Sequence, residues 1–231
     1  MASYALFLGC TIPARQPQYE ISARKALAKL GIELIDLENM TCCAPPPVKS
    51  IDLETGLAIS AYNICLAEEA DLDILTLCVG CFESLAMANT LLKENPQLRK
   101  RVNHILSNVG KEFKGTREVK HYLSVLLNDV GIEKIRKNLV KPLSKLKVAA
   151  FSGCHLLRPS ELLRFDDPER PRIFDTLIEA LGAKSIPYKN KLRCCGGLLR
   201  GYADDVALAI TRDKIVNAYN AGADCISTLC P

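Results

Sequence analysis

Met40–Pro47, MTCCAPPP, sets two cysteines side by side, Cys42 and Cys43, and the same device returns at Lys191–Leu198, KLRCCGGL, as Cys194 and Cys195. Each pair stands inside a longer frame. Cys10 precedes the first pair by 31 residues, and Cys78 follows it by 34, opening a C-x-x-C with Cys81. In the second half Cys154 precedes the pair by 39 residues and Cys230 follows it by 34. A frame of lone cysteine, adjacent pair and downstream cysteine is therefore written twice, at an offset of 144 for the lone cysteines and 152 from the pairs onward. An internal duplication accounts for this, with eight extra residues in the second copy near Arg164–Arg172.

The segments between the cysteines read as an α/β chain. Tyr4–Leu8 is a short apolar run that ends at Cys10, Glu20–Leu30 has helical spacing closed by Gly31, and Ile32–Leu37 alternates as a second strand. Pro45–Pro47 forbids regular structure after the first pair. Leu53–Ala70 is a helix, Asp73–Leu77 a strand running into Cys78, and Phe82–Lys93 a helix starting after Cys81. The second copy repeats the order: Lys147–Ser152 a strand, Phe174–Leu181 a helix closed by Gly182, Val206–Ala221 a helix, and Cys225–Leu229 a strand entering Cys230. The expected fold is two pseudo-symmetric α/β repeats with small parallel sheets, over residues 1–94 and 148–231, joined by a helical basic linker over 95–147. Cysteines at strand ends and helix starts occupy the positions where open α/β sheets bind ligands. The linker is read as two or three surface helices, with His104 and His121 on the surface.

Composition narrows the function. Of 231 residues, eleven are cysteine, and the net charge of +4 gives little reason to expect a nucleic-acid partner. The start, MASYALFLGC, lacks the basic region of a signal peptide, and no run of 18 apolar residues exists to span a membrane. A cytoplasmic chain so rich in cysteine reads as metal-binding or redox-active rather than disulfide-stapled. Adjacent cysteines serve one site only on a distorted turn, because on a regular strand they face opposite ways. Zinc takes four thiolates tetrahedrally, whereas the first half offers five: Cys10, Cys42, Cys43, Cys78 and Cys81. Five suit a polynuclear iron–sulfur cluster, ranked here ahead of zinc. Cys65 and Cys225 fall outside both sets and are read as buried small hydrophobes. His155, next to Cys154, is either a structural histidine or a proton donor beside a thiolate.

Several stretches carry a family resemblance: FLGC at Cys10, the pair at Cys42, CVGC at Cys78–Cys81, GCHLLRPS at Cys154–Ser160, FDDPERP at Phe165–Pro171 and CCGG at Cys194–Gly197. Together they resemble the CCG-domain family, specifically its heterodisulfide reductase B-subunit branch, over essentially the whole chain. The resemblance implies two non-cubane 4Fe-4S clusters. The first would be held by Cys10, Cys42, Cys43, Cys78 and Cys81, and the second by Cys154, Cys194, Cys195 and Cys230 with a fifth cysteine expected at position 233, so the second repeat is expected to be truncated. It also implies reduction of a mixed disulfide, such as that of coenzyme M and coenzyme B in methanogenesis, between the two clusters, with His155 as candidate acid. Partners would be the ferredoxin-like and the flavin-containing subunits of such a complex, since the chain has no C-x2-C-x2-C-x3-C run of its own. Two other readings stay open: membership of a sulfur-oxidation complex acting on lipoyl-bound sulfur, and a non-catalytic zinc or iron–sulfur module. One departure is Ala44, which follows the first pair where the second pair has Gly196.

Overall fold

The computed structural model describes residues 2–231. The first half runs β1 (Ala2–Phe7), α1 (Thr11–Arg15), α2 (Pro17–Lys29), β2 (Ile32–Ile35), α3 (Pro46–Ile51), α4 (Leu53–Glu69), β3 (Asp73–Thr76) and α5 (Val79–Glu94). Its strands are parallel, with β1 central: Ala2 is level with Ile32 on one side, and Tyr4 with Asp73 on the other. Tyr4, Ala5, Leu6 and Phe7 are all buried, because helices cover both faces of the sheet. Alternation sends Tyr4 and Leu6 into a core with Leu27 and Ile32, while Ala5 and Phe7 join Leu57, Ile64 and Ile74 on the other face.

Residues 95–147 contain α6 (Pro96–Ser107), β4 (Val119–His121), α7 (Tyr122–Ser124) running into a π-helical turn at Val125–Val130, and α8 (Ile132–Asn138). This differs from the surface linker expected from its charge. β4 pairs with β3, making a four-stranded sheet of order β2-β1-β3-β4, and Leu98, Val102 and Leu106 of α6 complete the core over α4 and α5. The basic residues lie on the outer faces of these elements, so charge count alone did not reveal the apolar inner stripe. His121, expected on the surface, is fully buried at the end of β4.

The second half runs β5 (Lys147–Phe151), α9 (Ser160–Leu163), α10 (Ile173–Ala180), β6 (Lys184–Ser185), α11 (Asp204–Asn220) and β7 (Cys225–Thr228). Its sheet is parallel, of order β6-β5-β7, matching β2-β1-β3. The repeats differ in cover. Leu57 and Ile64 of α4 are 0 % exposed beneath α5 and α6, while Leu208 and Ile215, the residues at the same places counted from the start of α11, are 56 % and 53 % exposed. Cys225 is exposed on the outer strand β7 and so is not the buried hydrophobe expected, whereas Cys65 is buried as expected.

Helix α5 joins the halves. Leu85, Ala88 and Leu92 face the first core, and Val79, Phe82 and Ala86 pack with Leu156, Leu157 and Leu163 of the second. Thr90 donates a hydrogen bond to the Leu162 carbonyl at 3.2 Å across the same boundary. Pro45–Pro47 also departs from expectation. The prolines start α3 rather than exclude helix, because Pro46 and Pro47 occupy the first turn, where a missing N–H costs no hydrogen bond.

Candidate functional site

The cysteines collect at the C-terminal ends of the central strands. β1 delivers Cys10 through Gly9, and β5 delivers Cys154 through Gly153; both glycines have left-handed backbone, φ +69° and +80°. A Cβ at Gly9 would stand 2.6 Å from Cys81 Sγ, so glycine makes room for that sulfur. Each adjacent pair is followed by a left-handed residue, Gly196 at φ +85° and Ala44 at φ +53°. That turn is what lets neighbouring cysteines serve one site. Alanine adopts it at a cost of about 1 kcal/mol, so the departure at Ala44 changes the residue and keeps the shape.

The turns are pinned alike. Ser60 of α4 donates to the Cys43 carbonyl at 2.8 Å, and Thr211 of α11 donates to the Cys195 carbonyl at 2.7 Å. Asn63 adds a bond to the Cys42 carbonyl at 3.1 Å. In the second half the backbone also reaches the sulfurs: Gly196 N–H donates to Cys194 Sγ at 3.3 Å and Gly197 N–H to Cys195 Sγ at 3.4 Å.

Of the sulfurs, Cys43, Cys81, Cys78 and Cys230 are neighbours in that order, each close enough to perturb the next one's ionisation, with Cys42 beside Cys43 and within electrostatic range of Cys10. The two sets therefore meet at Cys78 and Cys230, which are counterparts in the duplication. Cys154 and Cys195 lie within electrostatic range of Cys230. Cys194 lies within range of Lys214 together with Cys195 and Cys154. All nine candidate ligands are thus brought to one region.

Their ionisation is uneven. The Cys78 thiol is pushed well down by hydrogen bonds from Cys230 and Cys81, then by the N–H groups of Cys81 and Gly80 at the start of α5. Cys43 is pushed down by its bond from Cys81 against the opposing effect of burial. Cys81 is raised as donor to Cys43 and Cys78 and by burial, and Cys230 as donor to Cys78 and by burial. So crowded, the thiols cannot all ionise without cationic charge among them. A polynuclear iron centre supplies such charge and deprotonates its ligands, so this donor set fits one. Among the described residues no three cysteine, histidine or acidic side chains converge on a point suited to a single metal ion.

Three charged residues at the site were not anticipated. Lys49 of α3 is buried, donates to the Ser84 carbonyl at 3.2 Å, lies within electrostatic range of Cys43 and Glu83, and is lowered in pKa by burial. Glu83 of α5 is buried, and its Oε2 lies 3.9 Å from His155 Nδ1, so an acid of the first half faces the histidine of the second. Lys214 of α11 donates to the Asn190 and Lys191 carbonyls, both at 3.1 Å, lies 4.1 Å from the Phe151 ring centre, and is lowered by burial. Glu83 was open to notice as the lone acid in the apolar run Phe82–Leu92; Lys49 and Lys214 carry no local signal.

The duplicated frame has known relatives. The cysteine-rich domain named CCG matches twice, at residues 4–86 and 148–231. The B subunit of the ferredoxin:CoB-CoM heterodisulfide reductase of Methanosarcina mazei is 42 % identical, over all of this chain and 78 % of its own length. The 8-methylmenaquinol:fumarate reductase membrane anchor subunit of Wolinella succinogenes is 34 % identical, over 99 % of this chain and 79 % of its own. A protein of Methanocaldococcus jannaschii named as an iron-sulfur protein is 27 % identical, over 98 % of this chain and 39 % of its own.

Proposed function

The chain belongs to the CCG cysteine-rich domain family, alongside heterodisulfide reductase B subunits, and on that premise we propose that it is the disulfide-reducing component of a heterodisulfide reductase-type complex. The observation that carries this reading is the meeting of the two cysteine sets at Cys78 and Cys230. On this reading the first half holds a non-cubane 4Fe-4S cluster through Cys10, Cys42, Cys43, Cys78 and Cys81, and the second half holds another through Cys154, Cys194, Cys195 and Cys230. Clusters held by these cysteines would supply, one from each half, the two electrons needed to reduce one disulfide to two thiols with uptake of two protons.

The chain's own residues supply the rest. The left-handed turns at Ala44 and Gly196 aim each pair into the shared region. Lys49 and Lys214 offset the negative charge that thiolate ligands bring to each half. His155, held against Glu83, hands a proton to a departing thiolate. The substrate is a mixed disulfide of the kind named for the Methanosarcina relative. Electrons arrive from the ferredoxin-like and flavin-containing subunits of the complex. No described helix is long and apolar enough to cross a membrane, and on this reading the complex works in the cytoplasm.

The fumarate reductase relative supports a second reading, in which the protein relays electrons to a partner and reduces no disulfide itself. One experiment separates them. Protein reconstituted anaerobically with iron and sulfide, then reduced, is mixed with a disulfide. Reoxidation with release of two thiols per disulfide supports the first reading. Iron-loaded protein that stays reduced until a partner protein is added supports the relay.

A further inference from the structure

The stretch Phe165–Pro171, FDDPERP, lies in the insertion that the first half lacks, and none of the steps above uses it. It is a built loop. Asp166 Oδ2 accepts from the N–H groups of Arg172 and Ile173, both at 2.8 Å, and Asp167 Oδ1 accepts from those of Glu169 and Arg170, at 2.8 and 3.0 Å. Two aspartate turns in succession fix the backbone. What they present is the wall of a cleft of about 710 Å³, lined by Arg158, Arg170, Arg172, Arg193 and Glu169, with Cys194 among its walls. A smaller pocket shares Arg158 with this cleft and reaches Cys154. Arg158 pairs with Glu169 at 3.1 Å, and Arg193 approaches Asp213 at 4.0 Å. Arg170 and Arg172 are exposed and have no ion-pair partner among the described residues. Four guanidinium groups line the cleft with one carboxylate, Glu169; with Asp213 near Arg193 and Asp167 within electrostatic range of Arg170, the mouth to the second half, beside a candidate ligand cysteine, still carries an excess of positive charge.

Resting on the function proposed above, we infer that Arg170 and Arg172, with Arg158 and Arg193, clamp the anionic end of the disulfide substrate, a phosphate, sulfonate or carboxylate, and point its near sulfur toward the second cysteine set. Arginine suits the task because its planar fork binds such oxyanions through two parallel hydrogen bonds. The first half offers no match. It lacks the insertion, and Thr41 stands where the second half has Arg193. A site made from two near-copies would otherwise accept a mixed disulfide in either direction. The clamp breaks that symmetry and assigns one sulfur to each half.

The test begins with a titration of inorganic pyrophosphate into the full chain, followed by calorimetry, which needs neither clusters nor turnover. Wild type should bind, more weakly as salt is raised. Arg170→Gln/Arg172→Gln should bind at least about tenfold more weakly, the loss expected for charge-assisted hydrogen bonds. Lys100→Gln, an exposed charge on α6, should bind as wild type. Absent binding by wild type, or equal binding by the double variant, overturns the clamp. A second arm uses the reconstituted complex. The double variant should raise KM about tenfold or more for the disulfide of 2-mercaptoethanesulfonate with kcat retained, and leave KM for neutral bis(2-hydroxyethyl) disulfide unchanged. An equal rise for both substrates overturns charge recognition. A complex that reduces neither disulfide defeats the proposed function instead, and the pyrophosphate titration still decides the clamp.

Discussion

Gly9→Ala should strip iron from the first half while its counterpart, Gly153→Ala, should not. Both positions have left-handed backbone, at φ +69° and +80°, so alanine adds about 1–2 kcal/mol of strain at either. In a chain of this size that lowers Tm by roughly 2–8 °C, at about 2–4 °C per kcal/mol. Their surroundings differ. A Cβ at Gly9 would meet Cys81 Sγ at 2.6 Å, whereas one at Gly153 would meet only Val79 Cγ2 at 3.3 Å. Ordinary contact needs about 3.5–4.0 Å, so the Cys81 sulfur must retreat by about 1 Å, beyond the roughly 0.2 Å a metal–ligand bond tolerates. The assay is iron and acid-labile sulfide per chain after anaerobic reconstitution, with thermal melts on the same samples. The expected result is similar destabilisation of both variants, with about half the iron lost from Gly9→Ala alone. Full iron in Gly9→Ala would refute the assignment of Cys81 as a ligand pressed against Gly9.

Other outcomes follow from the same geometry. His121 is fully buried and its pKa is pushed down to about 3, chiefly by desolvation. The unfolded chain therefore takes up a proton near pH 6.5 that the fold refuses, so this contribution to stability is complete above about pH 6.5. It is lost at up to ~1.4 kcal/mol per pH unit as pH falls toward 3; His121→Gln should flatten that slope in denaturant titrations, and an unchanged slope would count against it. Lys49→Met and Lys214→Met should each shift one cluster's reduction potential downward by on the order of tens of millivolts, because a nearby cation is removed; redox titration followed by electron paramagnetic resonance would read it, and an upward shift would refute it. Cys43→Ser and Cys195→Ser should each abolish two-electron turnover while leaving the other half's cluster visible, whereas Cys225→Ser, exposed and outside both sets, should change neither. His155→Gln should slow disulfide reduction with iron content intact, and an unaffected rate would remove His155 from the proton path.

Much of the chain was readable from local pattern. Strand and helix order followed from apolar periodicity and from glycines after helices, as at Gly31 and Gly182. The cysteine frame marked both halves because chemistry at fixed spacing survives where packing residues drift. What escaped depends on contacts distant in sequence. β4 has only three residues and pairs at long range with β3, so no local alternation announces it. His121 is polar by type but lies among the rings of Phe82, Tyr122 and Phe165, which only the fold assembles. The prolines before α3 look like a break when counted and like a helix start when placed. Lys49 and Lys214 read as surface charges until their own halves fold over them, Glu83 until it meets His155 of the other half, and Arg158, Arg172 and Arg193 share a cleft only because a loop, a helix start and the second pair's turn converge.

Helix α5 is encoded in the first repeat, yet one of its faces is core to that repeat and the other is core to the second. Neither repeat can be separated at the duplication boundary without exposing an apolar face of the same rod. The two halves should therefore melt together in a single cooperative transition, and the repeat at 148–231 expressed alone should be unstable for want of Val79, Phe82 and Ala86. A gene that doubled to build this protein has since lost the option of dividing: the ancestral unit survives as a pattern in the sequence and no longer as an independent folding body.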